Sequence, residues 1–277
     1  MLLKYLINMD RKTKIIATVG PSLSSESKIK KIIDAGANVL RINFSHGTLE
    51  DHENVISWAR KSNKQVAIMQ DIQGPKIRTG ISSENTFLEK SKNVTLTNIE
   101  TESNNDIVFI NYENLLRDVN VDDRVFIDDG QIVLKVVEKE NDKLEALILI
   151  GGELRDNQGV AFPDSNLSVS AITEKDIEHL KFGSEHDVDF VAVSFVRNAS
   201  DINLVKEIIP KDVKVIAKIE LKTALDNIDE ILDVADGVMV ARGDLGVQLP
   251  LEQVPFVQKQ ILDAANKRGK ISITATE

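Results

Sequence analysis

The spacing of apolar residues in the first quarter of this 277-residue chain constrains its fold more than any other feature. Lys14–Val19, Asn38–Asn43 and Gln65–Asp71 are short runs rich in Ile, Val and Met that read as strands. Between the first two, Ser24–Asp34 carries Ile29, Ile32 and Ile33 at helical spacing, with Ser as N-cap and Gly36 as terminator; Leu49–Ser62 is helical before the third. A β-α-β-α-β order with short links pairs its strands in parallel and packs the helices outside them. Aliphatic side chains dominate a hydrophobic content of 42% against 4% aromatics, as strands buried on both faces require.

The pattern changes after Arg78. Asn93–Leu96, Ile107–Ile110, Arg124–Ile127, Gln131–Val137 and Leu144–Ile150 alternate with polar turns such as Asp128-Asp129-Gly130 and Asn141-Asp142-Lys143, which predicts an inserted all-β domain over 79–163. Helix and strand then alternate again. Thr173 and Asp176 have the spacing of a capping box, and strands follow at Val188–Ser194, Val213–Ile219, Gly237–Ala241 and Ile271–Thr274. With 13–78 and 164–277 as one unit and 1–12 as an N-terminal extension, the fold class is α/β: an incomplete (β/α)8 TIM-type barrel with an inserted β lid. Seven barrel strands are present where closure needs eight, so exposed sheet edges are expected.

Composition narrows the function classes. A net charge of −10 argues against duplex nucleic acid as a partner. The absence of cysteine removes disulfides and thiolate chemistry and fits a cytoplasmic location. Met1–Asn8 is a short apolar run broken by Lys4 and lacks a small-residue cleavage pattern, so an ordinary N-terminal extension, or a start at Met9, is expected rather than a targeting signal. No run reaches the roughly 20 apolar residues that a membrane helix needs.

Polar residues of the barrel-type strands collect at their C-terminal ends, where loops share one face. Lys218-Ile219-Glu220 and Ala241-Arg242-Gly243-Asp244 put two carboxylates, a lysine and a glycine-containing loop there. Magnesium takes a few hard carboxylate oxygens and leaves its other positions to water or substrate, and an ammonium nearby takes up charge on a transferring phosphoryl group.

Seven segments in order carry a resemblance to pyruvate kinases: Arg41-Ile-Asn-Phe-Ser-His-Gly, Gly74-Pro-Lys-Ile-Arg-Thr, Ile127-Asp-Asp-Gly, Ile172-Thr-Glu-Lys-Asp, Lys218-Ile-Glu, Ala241-Arg-Gly-Asp-Leu-Gly and Ile273-Thr-Ala-Thr-Glu. The resemblance runs from Thr13 to the last residue. It implies transfer of the phosphoryl group of phosphoenolpyruvate to ADP, giving pyruvate and ATP, on a barrel with a β lid. Glu220 and Asp244 match the ligands of Mg2+ or Mn2+; Lys218, Arg41 and Thr276 match the groups that stabilise transfer, hold phosphate and attend protonation of the enolpyruvate carbon. Ser194 and the backbone of Ala241, Arg242 and Gly243 match substrate contacts, and Arg78 and His46 match the nucleotide side. Asn43, Ser45, Asp71 and the Ile72 carbonyl match a K+ site. Many members carry glutamate where this chain has Lys76, whose ammonium could replace K+; activity without added potassium is therefore expected. The resemblance further implies a homo-oligomer in the full-length protein.

Family members continue through an eighth strand and a C-terminal domain, so 277 residues are expected to bind metal weakly and turn over slowly. Two other readings stay open at this level. One is a different magnesium-dependent barrel that handles an enolpyruvate; the other is an inactive truncated copy serving as a binding or assembly module.

Overall fold

The computed structural model describes residues 12–62 and 64–276. Met1–Asn8, most of the extension and Glu277 lie outside the described residues. The first half of the barrel follows the sequence closely: β1 (Ile16–Val19), α1 (Glu26–Asp34), β2 (Val39–Asn43), α2 (Leu49–Arg60) and β3 (Ala67–Ile72). One detail differs at α1. The helix starts later, after a turn of 3-10 helix at Pro21–Leu23, and its N-cap is Ser25, which makes no side-chain capping bond. In α2 the cap is Thr48, locked reciprocally with Asp51.

The insertion follows, with β4 (Phe87–Leu88), β5 (Asn93–Thr97), β6 (Ile107–Phe109), α3 (Leu115–Asp118), β7 (Arg124–Ile127), β8 (Ile132–Lys139), β9 (Leu144–Ile150), β10 (Gly152–Glu153) and β11 (Val160–Ala161). Six of these strands form a sheet ordered β11-β7-β8-β9-β5-β6, while β4 and β10 pair separately. The larger sheet is mixed: β5 and β6 run parallel, a pairing that alternation of apolar residues does not reveal. Its core is its own, built on residues such as Leu96, Ile110, Leu115, Ile127, Leu134 and Ile148.

The chain then returns through α4 (Glu174–Glu185), β12 (Phe190–Val193), α5 (Ala199–Ile208), β13 (Lys214–Ile219), α6 (Lys222–Asp226), α7 (Ile228–Val234), β14 (Gly237–Val240), α8 (Arg242–Gln248), α9 (Val254–Lys267) and β15 (Ile271–Thr274). Seven parallel strands make one sheet in the order β1-β2-β3-β12-β13-β14-β15. At its two margins β1 is preceded by exposed Ile15 and β15 begins with exposed Ile271. Helices cover the outer face over a continuous aliphatic core that includes Ile33, Leu40, Ile68, Val191, Val215, Ile219 and Val238.

The other face matters for function. Because successive side chains on a strand point to opposite faces, Val39, Met69, Ala192, Ile216 and Met239 share a small inner cluster. Two residues further along the same strands, or one step past their ends, that same inward face presents Arg41, Asp71, Ser194, Lys218 and Ala241. On β2, β3, β12 and β13 the inward face thus changes from apolar to polar at one end, the end from which the βα loops leave.

Candidate active site

Lys218 is the centre of this polar layer. Its side chain lies within β13 and is almost wholly buried, so an ordinary solvated lysine is excluded. Its Nζ donates to Glu220 Oε1 at 2.8 Å and to Ser194 Oγ at 2.8 Å, and stands 3.3 Å from Asp71 Oδ1. Burial pulls the ammonium toward deprotonation, but Glu220 and Asp71 more than offset that and its pKa lies above the ordinary lysine value.

Glu220 is the group most altered by its surroundings. Burial drives its pKa up, Lys218 opposes the rise and Asp244 reinforces it, and the result is about 7. Its second oxygen accepts the backbone N–H of Phe195 at 2.7 Å. Phe195 holds a left-handed backbone, φ 54°, which is uncommon for a residue with a β-carbon and costs free energy that the surrounding structure must offset. No sequence signal marks Phe195 for this role, because a left-handed phenylalanine is defined by its neighbours rather than by its type.

Around this pair the other predicted residues fall as follows. Arg41 donates from Nε to Asp71 Oδ2 at 2.6 Å and from Nη1 to Thr18 Oγ1 at 3.0 Å. Ser194 Oγ donates to the Ile72 carbonyl at 2.7 Å, and Asn43 Oδ1 accepts the Ser45 amide at 3.0 Å. Asp71, Ile72, Ser194 and Lys218 therefore form one hydrogen-bonded group with Arg41 at its margin. Lys76 faces the same group: burial lowers its pKa most, then the nearby charges of Arg78 and Lys218, against the pull of Asp244 and Asp71.

Asp244 is exposed and sits in the first turn of α8, three residues beyond Ala241, where the sequence pattern ends the strand. Ala241 is the N-cap of that helix and, against the expected substrate contact, donates its amide to the Ile219 carbonyl at 3.4 Å; Arg242 and Gly243 open the helix, so their amides belong to the set a helix start leaves unpaired within the helix. The Arg242 guanidinium donates to the Ala275 carbonyl at 2.8 Å and so joins α8 to the end of β15. Thr276, the residue after that carbonyl, is exposed at the same rim. His46 is exposed on the loop after β2, and Arg78 turns its Nη1 to the Asn157 carbonyl of the insertion at 2.8 Å. These two stand apart from the Lys218 group and bond to none of its side chains.

A cleft of about 650 Å³ opens between barrel and insertion, with Lys76, Arg78, Phe162, Glu220, Lys222 and Asp244 among its walls. Lys222, which sequence reasoning passed over, lies at the start of α6 and feels Asp164, just past the insertion, across this cleft. Arg197 lies on the loop after β12. Its guanidinium is held by Asp201 and donates to the Leu167 and Val169 carbonyls, fastening the returning segment of the insertion to the barrel.

The donor set suits a hard divalent cation. Asp244 raises the energy of the Glu220 anion, a repulsion that such an ion would relieve, and both residues offer carboxylate oxygens. Among the described residues no group of three or more acidic or histidine side chains is poised to hold a metal, so two protein oxygens would leave most positions to substrate and water.

Fold and site together define a class: a curled parallel α/β sheet with helices outside, a charge-dense pocket at the C-terminal ends of its strands and a β-sheet inserted beside that pocket. Residues 10–277 match the family described as pyruvate kinase, barrel domain, and the chain belongs to the pyruvate kinase family. It is 44% identical over 277 residues to a pyruvate kinase of Staphylococcus aureus (strain MRSA252), a match covering 96% of this chain and 47% of that protein. It is also 44% identical over 275 residues to a pyruvate kinase of Thermotoga maritima, covering 96% of this chain and 59% of that protein. The chain thus spans about half the length of the curated relatives it matches.

Proposed function

We propose that this chain provides the phosphoryl-transfer site of a pyruvate kinase: the phosphoryl group of phosphoenolpyruvate passes to ADP, giving ATP and an enolate that is protonated to pyruvate. The observation that carries this reading is the burial of Lys218 between Glu220, Asp71 and Ser194, with Asp244 close enough to raise Glu220.

Glu220 and Asp244 are the residues that would hold the divalent ion, which when bound supplies a positive charge to the substrate's carboxylate and enolate oxygens. Lys218 takes up negative charge on the transferring group and on the enolate oxygen, from a position its three partners hold rigid. Arg41, fixed through Asp71, presents its guanidinium edge to phosphate oxygens. The amides of Arg242 and Gly243 at the start of α8 receive the substrate carboxylate, that of Ala241 being taken by the Ile219 carbonyl, and Ser194 keeps Lys218 in place beneath it. Thr276 stands by the carbon that gains a proton. Arg78 and His46 serve the nucleotide, with the insertion closing above the cleft to exclude water.

Lys76 replaces potassium in this reading. Asn43, Ser45, Asp71 and the Ile72 carbonyl would furnish oxygen donors for K+, yet Arg41, Lys218 and Ser194 already bond to Asp71 and Ile72, and Lys76 adds an ammonium beside them. The glycolytic reaction carries a cytoplasmic location with it, and homo-oligomeric assembly belongs to the longer protein. Among the described residues no helix is long and apolar enough to cross a membrane.

The test is Mn2+ binding followed by spin resonance, with and without phosphoenolpyruvate, alongside turnover coupled to pyruvate reduction. Glu220→Gln and Asp244→Asn should each weaken Mn2+ by at least about tenfold, and Lys218→Met should abolish turnover. Unchanged Mn2+ binding in both carboxylate variants would refute the assignment.

A further inference from the structure

Asp176 is 1% exposed, yet no substrate-facing role has been given to it. Its spacing from Thr173 predicts a capping box, and the box is present: Asp176 Oδ2 accepts from the Thr173 amide at 2.9 Å and from Thr173 Oγ1 at 2.6 Å. Capping accounts for only one of its oxygens. Oδ1 turns away from α4 and accepts the amides of Gln73 at 3.2 Å and Gly74 at 3.3 Å, on the loop that leaves β3 more than a hundred residues earlier.

That loop leads directly to Pro75 and Lys76. It also bears on Glu220. Gly74 has φ 66°, and a β-carbon there would lie 3.1 Å from the Phe195 ring and 3.4 Å from the Ala171 and Ser194 carbonyls, so the loop is wedged against the turn at Phe195. Phe195 in turn donates its amide to Glu220. One buried carboxylate therefore fixes the start of α4, where the chain returns from the insertion, and the loop by which it departs.

We propose that Asp176 is a positioning residue for phosphoryl transfer: through the Gln73 and Gly74 amides it holds Lys76 and, by way of Phe195, Glu220 in their working places. The proposal rests on the phosphotransfer reading above for the reaction it serves, while the anchoring itself is independent of that reading. A carboxylate is needed because all four bonds are donated to it; an asparagine carries only one accepting oxygen and would turn its NH2 toward N–H donors.

The experiment compares Asp176→Asn with Thr173→Ala in the 277-residue chain, by amide hydrogen exchange and by steady-state turnover of phosphoenolpyruvate and ADP with Mg2+. Thr173→Ala removes the cap hydroxyl but leaves Oδ1 on the loop. Both variants should unfold at lower temperature. Only Asp176→Asn should speed exchange at Gln73 and Gly74 by about tenfold or more and lower kcat by about tenfold or more with little change in KM. Equal exchange in the two variants, or an unchanged loop in Asp176→Asn, would overturn the proposal. In the wild-type chain both amides should be protected, and prompt exchange there overturns it even if Asp176→Asn fails to fold. Absence of wild-type turnover with protected amides would count against the phosphotransfer reading and leave the anchor standing.

Discussion

Replacing Lys218 by methionine keeps much of the side-chain volume and deletes the charge on which the pocket is balanced. Asp71 would retain Arg41 at 2.6 Å, but Glu220, 2% exposed, would keep only the Phe195 amide. Breaking a buried pair in this way costs about 3–5 kcal/mol, because the remaining partner is an uncompensated charge. At about 2–4 °C per kcal/mol for a chain of this general size, the melting temperature should fall by roughly 6–20 °C. The loss should also depend on pH in a definite direction. Glu220 has a folded pKa of about 7 against an ordinary 4.5, so the folded state binds that proton more tightly than the unfolded state does. Its contribution to stability is complete below 4.5 and is lost as pH rises through 7; removing Lys218 raises the folded value further. Lys218→Met should therefore be penalised more at pH 8 than at pH 6, and Lys218→Met/Glu220→Gln should recover about 1–3 kcal/mol of the loss. Urea unfolding of the four proteins at the two pH values is the assay. A single-variant cost under about 1 kcal/mol, or additive effects in the double variant, would show that the two groups do not sustain one another.

Wild-type turnover should change little on adding potassium, whereas Lys76→Glu should make it depend steeply on that ion; a potassium requirement in the wild type would refute the substitution of ammonium for K+. Gly183→Ala would set a β-carbon 2.2 Å from Gln70 Oε1, displacing a fully buried side chain that donates to the His179 carbonyl, and should cost about 1–3 kcal/mol in chemical unfolding. Gly237→Ala would meet the Ile271 backbone at 2.6 Å and should speed amide exchange across β15 while leaving the insertion's sheet protected. Burial, with help from neighbouring charge, holds His52 and His179 below the usual histidine range, so the unfolded chain binds their protons first. Their share of stability is present above about pH 6.5 and is lost on acidification through their folded values. His52→Phe, which keeps a ring against Phe44, should flatten that acid loss in a thermal-unfolding series from pH 7 to 5.

The sequence by itself determined the order of strands and helices, the interruption by a β insertion and the identity of most polar residues at the strand ends. These are local properties: periods of two and of 3.6 residues, turn residues and caps are written within a few positions of where they act. Even the Thr173–Asp176 box was legible on that ground. What only the tertiary structure decided is which groups meet, and in what charge state. Lys218 became a buried ammonium because Asp71 and Ser194 arrive from two other strands to meet it and Glu220 at the end of its own, and Glu220 rose to about 7 because burial and Asp244 together outweigh that ammonium. The left-handed turn at Phe195, the second set of bonds on Asp176 and the hold of Arg197 on the returning connection are contacts between residues 25 to 103 positions apart. Composition carries no trace of such pairings, since hydrogen bonds and desolvation depend on distance in space, and that distance exists only once the sheet has curled.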